Sequence, residues 1–273
     1  MNDKQQGIQS VDAAMRVLVA LAKSNHAMSL KQIAQSADMT ASNTHRYMVS
    51  FARANLVTQQ AETGHYDLGP FALQLGLAAM VRMDAIAVAT KVMAELLEEI
   101  DLPVTLAVWT PDGPVMIRWM DASQPVTVNI KTGSRSPLLV SASGRIFLAY
   151  EAEERTRALL ATELRARRAR KETDLISLNE VNLLKEEVRR HGLGRSLGIR
   201  VSGINALGAP IFDATGKLAL TLSSVGLANA FDTSYDGHVA KAVKAAAARA
   251  SVLLGYRAPH QKQASSAKRP SVQ

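Results

Sequence analysis

The sequence contains no cysteine, which excludes disulfide bonds, thiolate zinc sites, iron–sulfur clusters and cysteine nucleophiles. A chain without cysteine suits a reducing compartment, so we expect a cytoplasmic protein. The sequence also lacks an apolar run of about 18 residues, and its first six residues carry no apolar signal segment. We therefore expect neither export nor a membrane partner.

Aromatic residues are scarce, with 2 Trp, 5 Tyr and 5 Phe. This scarcity argues against domains that stack single-stranded bases on aromatic side chains. The formal net charge is +8, which favours a polyanionic partner. Double-stranded nucleic acid, recognised through its grooves, fits both observations better. The 273 residues predict two domains at roughly 150 residues each.

The N-terminal part has the pattern of three short helices. Apolar residues between Val11 and Ala22 recur at helical spacing. Ser29 and Gln32 have the spacing of a capping box, which predicts a second helix. Thr40 is a good N-cap for a third helix. The second and third helices are thus predicted to be joined by a tight turn.

A small hairpin is predicted after the third helix. The segments 57–60 and 65–68 have strand character, and Gly64 lies in the loop between them. Three helices followed by a hairpin are the plan of a winged helix-turn-helix, whose recognition helix enters the major groove of DNA. We assign residues 1–69 to this domain.

The residues at the start of the third helix have side chains that suit DNA. Asn43 can pair with adenine, Ser42 can bond several bases, and Arg46 can reach guanine or a phosphate. The hydroxyl of Thr40 and the helix-terminal amides favour phosphate oxygens. The candidate DNA-binding residues are Ser29, Thr40, Ala41, Ser42, Asn43, Thr44, His45, Arg46 and His65.

The basic residues are not concentrated in this domain. Up to residue 80 the net charge is only +1, and arginines crowd the segment 155–171 instead. Such a run is usually a solvated helix face. Few phosphate contacts per subunit are therefore expected, and useful affinity requires at least a dimer on a two-part site.

The rest of the chain alternates strands and helices. A linker helix is predicted for residues 70–88, and strands for 104–109, 115–119, 126–131, 206–212 and 218–224. Helices are predicted between them, which indicates an α+β domain with an antiparallel-rich sheet over residues 89–257. The tail 258–273 has the composition of a disordered segment.

The sequence resembles the IclR family of bacterial transcriptional regulators. The motifs that carry this resemblance lie at residues 8–12, 29–37, 42–47, 63–69, 133–138, 141–144, 203–206 and 209–213. The resemblance implies a dimeric or tetrameric repressor or activator with a GAF-like C-terminal domain that binds a small carboxylic acid. An activator would also contact RNA polymerase. The spacing of the six histidines does not favour a metal site, and we expect no cofactor.

The resemblance also implies an effector pocket in the second domain. Ser143 lies near the start of a predicted helix, where hydroxyls and free N–H groups can hold a carboxylate. Ser196, Ala206 and Val225 replace an acidic residue, a cysteine and a serine that other family members can have, so we expect a less polar pocket and an aromatic acid. The candidate effector-binding residues are Leu139, Ala142, Ser143, Ser196, Ala206, Ser223 and Val225.

Two alternatives remain at this point. Residues 194–198 match the G-x-S-x-G motif of serine hydrolases, with Ser196 as the nucleophile, but that motif requires a strand before the serine and a helix after it. Here a predicted helix precedes the serine and a predicted strand follows it. The second alternative is a metabolite sensor in which the winged helix pairs subunits and does not bind DNA.

Overall fold

The computed structural model describes residues 7–82, 84–123, 130–173 and 177–258. The chain divides into two compact units, Met1–Met83 and Asp84–Gln273. In the described ranges, no helix is long and apolar enough to cross a bilayer. Two predictions fall outside these ranges: most of the strand predicted for 126–131 and nearly all of the tail 258–273.

The first unit contains four helices and one hairpin within its described residues. The helices are α1 (Gln9–Lys23), α2 (Leu30–Ser36), α3 (Ala41–Arg53) and α4 (Pro70–Arg82), and the hairpin consists of β1 (Val57–Gln59) and β2 (Tyr66–Leu68). One apolar core joins the first three helices to the hairpin. Its buried residues are Val17, Ala20, Leu21, Met28, Ile33, Ala37, Met48, Val57 and Tyr66.

Local signals set the boundaries of α2 and α3. The predicted capping box is present, since Ser29 Oγ accepts from the Gln32 N–H and the Gln32 side chain accepts from the Ser29 N–H. Thr40 Oγ1 caps α3 by accepting from the Asn43 N–H at 3.3 Å. Between the helices, Asp38 adopts a φ of 55°, a left-handed conformation that Asp tolerates better than most residues. The tight turn between the two helices follows from these residues.

The prediction of one linker helix over residues 70–88 is wrong at the C-terminal end of that range. Helix α4 ends at Arg82, and α5 (Ala85–Ile100) begins after Asp84. The Asp84 carboxylate accepts from the N–H groups of Ile86 and Ala87 at 2.9 and 3.1 Å, which makes Asp84 an N-cap. Apolar residues continue on both sides of this cap, so hydrophobic periodicity alone did not reveal the break.

The described residues of the second unit form a five-stranded antiparallel sheet packed with helices, in agreement with the predicted α+β class. Its strands are β3 (Val104–Thr110), β4 (Gly113–Met120), β5 (Gly194–Leu197), β6 (Ile204–Phe212) and β7 (Leu218–Leu227), in the order β4-β3-β7-β6-β5. Its further helices are α6 (Ala142–Tyr150), α7 (Glu153–Ala169), α8 (Leu178–His191) and α9 (His238–Leu253).

Both faces of this sheet are covered. Consecutive residues of the central strand β7 from Leu220 to Gly226 are buried, and since their side chains alternate between the faces, both faces are covered along this strand. Helix α6 packs against β5, β6 and β7, and α9 packs against β6 and β7. The start of α6 is thereby held close to the sheet, where the candidate effector residues lie.

Candidate functional site

The N-terminal turns of α3 present a polar surface. Ala41, Ser42, Asn43, His45 and Arg46 are all exposed there. The unused N–H groups at a helix start attract phosphate oxygens, and the side chains around them are free to reach base edges. This surface therefore contains five of the nine candidate DNA-binding residues.

Thr44 is the exception on α3, and its prediction as a DNA contact is wrong. Its side chain is fully buried, and its Oγ1 donates to the carbonyl oxygen of Thr40 at 2.9 Å. Thr44 lies on the same side of α3 as Met48, which belongs to the core of the unit. A residue on that side supports the helix and cannot contact a ligand.

The other three candidates lie near the start of α2, at the N-cap of α3 and in the hairpin. The hydroxyls of Ser29 and Thr40 already cap α2 and α3. His65 is half-buried beside Gly64, and its carbonyl oxygen accepts from the Gln60 N–H at 2.8 Å. Thr40 is exposed and Ser29 is half-buried, so Thr40 is better placed than Ser29 to bind a phosphate as well.

Most arginines of the segment 155–171 are bound to carboxylates or buried. Arg155 and Arg157 pair with Glu151 and Glu153 one helical turn away. Arg167, which is buried, pairs with Glu172, as does Arg170. The charge of this segment is largely neutralised locally. By contrast, none of the ion pairs found among the described residues includes Arg46.

A cavity lies between the sheet of the second unit and the start of α6. The cavity has a volume of about 40 Å³, which is room for a few water molecules. Six of the seven candidate effector residues line it. The residues that line the cavity are Thr105, Met116, Trp119, Ile130, Ser136, Ser141, Ala142, Ser143, Ser196, Arg200, Val201, Ile204, Ala206, Ser223 and Val225.

Strand register brings these distant residues onto one face of the sheet. One cross-strand row contains Trp119, Thr105 and Ser223, which lie opposite one another on β4, β3 and β7. A second row contains Ser196, Ala206 and Val225 on β5, β6 and β7. Ser223 and Val225 are two residues apart on β7, so both rows point to the same face.

Two glycines let α6 approach this face. A Cβ atom at Gly194 would collide with the carbonyl oxygen of Ala142, and one at Gly208 would collide with Ser223 Oγ. Gly208 lies opposite Ser223 in the first row, and Gly194 lies opposite Gly208. The absence of side chains at these positions allows the start of α6 to form a wall of the cavity.

The start of α6 carries unused hydrogen-bond donors. Ser141 caps the helix, since its Oγ accepts from the Gly144 N–H at 3.0 Å. The N–H groups of Ala142 and Ser143 have no acceptor among the residues that the structure describes. Such groups and the helix dipole favour an anion. The arrangement suits a small carboxylate.

Leu139 does not line the cavity, so its side chain is ruled out as an effector contact. It is fully buried in the core with Phe147 and Leu164. Its N–H and that of Leu138 donate to the two carboxylate oxygens of Glu163 at 3.0 and 2.8 Å. Burial raises the pKa of Glu163, while the two N–H bonds oppose the rise. Leu139 therefore helps to hold the turn before α6.

The hydroxyls of three cavity serines are hydrogen-bonded within the protein. The hydroxyls of Ser143 and Ser223 lie 3.0 Å apart, and Ser196 Oγ donates to the carbonyl oxygen of Val140 at 2.7 Å. Ser196 lies inside β5 and is not followed by a helix. The strand-to-helix turn of a hydrolase nucleophile is therefore missing.

Arg200 is the functional candidate that sequence reasoning missed. It lies in the loop between β5 and β6, is half-buried and lines the cavity. Its Nη2 donates to the carbonyl oxygen of Arg135 at 2.7 Å, and burial lowers its pKa because desolvation disfavours the charged form. No local pattern distinguishes Arg200 from the other arginines, since only the folded loop brings it to the cavity.

Comparison with known proteins identifies both units. Residues 10–61 match the IclR helix-turn-helix domain, and residues 77–252 match the bacterial transcriptional regulator IclR C-terminal domain. The HTH-type transcriptional regulator BhcR of Paracoccus denitrificans is 27% identical over 223 residues, which cover 81% of this chain and 78% of that protein. The transcriptional repressor IclR of Escherichia coli K12 is 25% identical, and the match covers 76% of this chain and 75% of that protein.

Solved structures agree with these matches. The crystal structure of Pseudomonas aeruginosa HmgR has a TM-score of 0.84 and 34% identity, and the match covers 91% of this chain and 99% of that one. The predicted winged helix-turn-helix followed by an α+β effector domain is thus confirmed. IclR-family proteins bind DNA operators and small-molecule effectors, and they are not enzymes. The chain belongs to the IclR family of bacterial transcriptional regulators.

Proposed function

We propose that this regulator controls a catabolic operon and that a small aromatic carboxylic acid, bound in the cavity of the second unit, changes its affinity for the operator. The observation that carries this proposal is the convergence of six predicted effector residues and the unused N–H groups of α6 on one cavity. A site that combines apolar walls with a few convergent donors is typical of a small-molecule pocket.

The apolar part of the cavity supports an aromatic effector. Met116, Trp119, Ile130, Val201 and Val225 all line it, and a ring can pack against such side chains. The hydroxyls of Ser143, Ser196 and Ser223, which line the same space, already have protein partners. A hydrophobic body with one carboxylate therefore matches the lining better than a small, highly polar keto acid.

Recognition of the operator is assigned to α3. Its exposed N-terminal residues, above all Asn43 and Arg46, would contact base edges in the major groove, and the hairpin with His65 would lie beside the backbone. Because bacterial DNA lies in the cytoplasm, this function requires a cytoplasmic protein.

A homodimer is proposed on the basis of α1. Ile8, Val11, Met15 and Val19 are between 42% and 68% exposed, and their spacing places them along one side of the helix. Pairing of this stripe with a second copy would bury it and present two α3 helices to successive half-sites. Two dimers would form the tetramer that the family resemblance also allows, and an activator would in addition contact RNA polymerase.

The proposed function is tested by selecting DNA with the purified full-length protein. Fragmented source-genome DNA is captured at near-physiological salt and sequenced, and the selection is repeated with aromatic and aliphatic carboxylic acids. We expect enrichment of one paired or palindromic site, and a change in its retention with one aromatic acid. Light scattering on the same samples distinguishes a dimer from a tetramer.

Two outcomes would contradict the proposal at different points. Sequence-independent retention under every condition would remove the operator assignment and favour the alternative of a sensor that does not bind DNA. Enrichment of one site that no acid alters would leave the operator assignment intact and remove the carboxylic-acid effector.

A further inference from the structure

We propose that Arg200 recognises the negative charge of the effector, so that the cavity prefers a carboxylate over a neutral molecule of the same shape. The inference rests on the proposed function, because it requires the effector to bind in the cavity of the second unit. It goes beyond that function by naming the residue that sets the preference for charge.

The charge of the cavity comes from one residue. Arg200 is the ionisable side chain among the described residues that line the cavity, and no acidic residue accompanies it there. Its known acceptor is the carbonyl oxygen of Arg135, which is neutral. None of the ion pairs found in the described ranges includes Arg200.

The half-buried guanidinium of Arg200 has no ion-pair partner in the part of the chain that the structure describes. Arginine remains protonated at neutral pH, so burial leaves a cation in the cavity wall. Buried charges in proteins are normally paired, because their desolvation is costly. The Arg135 carbonyl accepts from Nη2, and the remaining N–H groups of Arg200 suit the two oxygens of a ligand carboxylate.

The loop that carries Arg200 is held at both ends. Gly198 and Gly203 adopt φ values of 66° and 77°, which favour glycine. The Gly198 N–H donates to the carbonyl oxygen of Ile204 at 3.1 Å, and the Gly203 carbonyl oxygen accepts from the Ala228 N–H at 2.8 Å. This anchoring keeps the loop at the cavity, and thus keeps Arg200 in place before any ligand binds.

The other polar side chains of the cavity are less suited to select a charge. Ser143 bonds Ser223, Ser196 bonds the carbonyl oxygen of Val140, and Ser141 caps α6. These hydroxyls are neutral and already have partners. The N–H groups at the start of α6 can assist a carboxylate, but they also bind a neutral carbonyl oxygen. The discrimination between acid and amide therefore falls to Arg200.

The test compares acids with their neutral amides on the full-length protein. The probes are benzoate with benzamide, phenylacetate with phenylacetamide, and propionate with propionamide. Their affinities are measured by calorimetry and by intrinsic tryptophan fluorescence, to which Trp119 in the cavity lining contributes. The variants are Arg200→Gln, Arg200→Lys and the control Arg190→Ala, which removes an exposed arginine from α8.

We expect at least one acid to bind the wild-type protein about 10- to 100-fold more tightly than its amide, as charge-assisted hydrogen bonds provide. In Arg200→Gln this preference should disappear while the affinity for the amide stays the same. Arg200→Lys should keep part of the preference, because it keeps the charge but loses the bidentate geometry. Arg190→Ala should behave as the wild type.

Three results would overturn the inference. If Arg200→Gln keeps the acid preference, another group recognises the charge, and the proposed function stands. If Arg200→Gln lowers acid and amide affinity equally, Arg200 has only a structural role in the loop. If no acid binds the wild-type protein, the proposed effector class is wrong and the inference falls with it. Should Arg200→Gln fail to fold, Arg200→Lys decides, since a loss of acid affinity alone supports the inference and an equal loss of both overturns it.

Discussion

The hydroxyl oxygens of Ser143 and Ser223 lie 3.0 Å apart in the cavity, although 80 residues separate them in the sequence. Both side chains are buried. Ser143 belongs to α6 and Ser223 to β7, so this hydrogen bond connects the helix that supplies the free N–H groups to the centre of the sheet. The wall of the cavity is thus tied together by a contact between two candidate effector residues.

We expect the two hydroxyls to depend on each other energetically. Ser143→Ala or Ser223→Ala would leave the remaining hydroxyl buried without its partner, at a cost of about 1–3 kcal/mol in the free energy of unfolding. The double variant should cost less than the sum of the two, because it leaves neither hydroxyl unpaired. Urea unfolding followed by tryptophan fluorescence measures this, since both tryptophans, Trp109 and Trp119, lie in the second unit. Additive losses would contradict the coupling.

Gly208→Ala should disturb the cavity directly. The added Cβ would collide with Ser223 Oγ and would lie 3.2 Å from the Cδ1 atom of Ile146. We expect a loss of about 1–3 kcal/mol in the free energy of unfolding of the second unit, as overpacking typically causes, together with weaker binding of the effector. Urea unfolding and calorimetry measure the two effects.

The matched control for this change is Gly76→Ala. Gly76 lies in α4, and a Cβ there would have no atom within 4 Å among the described residues. Alanine favours the helix by up to about 1 kcal/mol relative to glycine, so this variant should be neutral or more stable. A stability of Gly208→Ala equal to that of the wild type would show that α6 can move away from the sheet at little cost.

Asn43→Ala and Arg46→Ala should each weaken binding to the selected operator. Both side chains are exposed at the start of α3. If they contact base edges, each loss should cost about 1–3 kcal/mol and relax specificity at one base pair. Fluorescence anisotropy measures binding to the operator and to a set of single-base variants. This comparison separates a loss of affinity from a loss of specificity.

Arg190→Ala serves as the control for Arg46→Ala, because it removes the same charge from an exposed position on α8. It should leave operator affinity unchanged. A loss at Arg46 that is equal across all sequences and that reduces the salt dependence would identify a phosphate contact. Full affinity in both α3 variants would mean that α3 does not enter the groove.

Because Glu163 is buried, we expect the free energy of unfolding to depend on pH in a specific way. Burial raises the pKa of Glu163 above its ordinary value of 4.5, so the folded state holds this proton more tightly than the unfolded state. The contribution of Glu163 to stability is therefore fully present below pH 4.5 and is lost as the pH rises through the folded-state pKa. Relative to Glu163→Gln, which does not titrate, the wild-type protein should lose stability over that interval and stay constant above it.

Glu163→Gln should also be destabilising at neutral pH. The carboxylate accepts from the N–H groups of Leu138 and Leu139, whereas a glutamine amide offers one oxygen and places a donor against the second N–H. We expect a loss of about 1–3 kcal/mol at neutral pH. Urea unfolding across a pH series measures both effects, and a constant difference between the two proteins at every pH would contradict the assignment.

Much of the first unit could be predicted from short-range patterns. The Ser29–Gln32 capping box, the Thr40 cap and Gly64 in the hairpin involve residues only a few positions apart. Hydrogen bonds of this kind form wherever the local sequence permits them. The helix break at Asp84 was missed although its cap is equally local, because apolar residues resume directly after Asp84 at helical spacing.

The candidate site residues show the same difference between local patterns and tertiary packing. Family motifs pointed to Ser143, Ser196 and Val225, and all three line the cavity. The predicted site residues also included Thr44 and Leu139, and both side chains are buried. The side of a helix or turn on which a residue lies depends on what packs against it, and a motif position does not report that packing.

The sequence alone determined the family of the protein and most of the helices and strands that the structure describes, because caps, turns and family motifs are local properties of the chain. The tertiary structure decided which residues meet at the cavity. Antiparallel register places Thr105, Ser196 and Ser223 on one face of the sheet, and a loop anchored by two glycines brings Arg200 to the same cavity. Such contacts join residues far apart in sequence, so only the packed sheet and helix could reveal them.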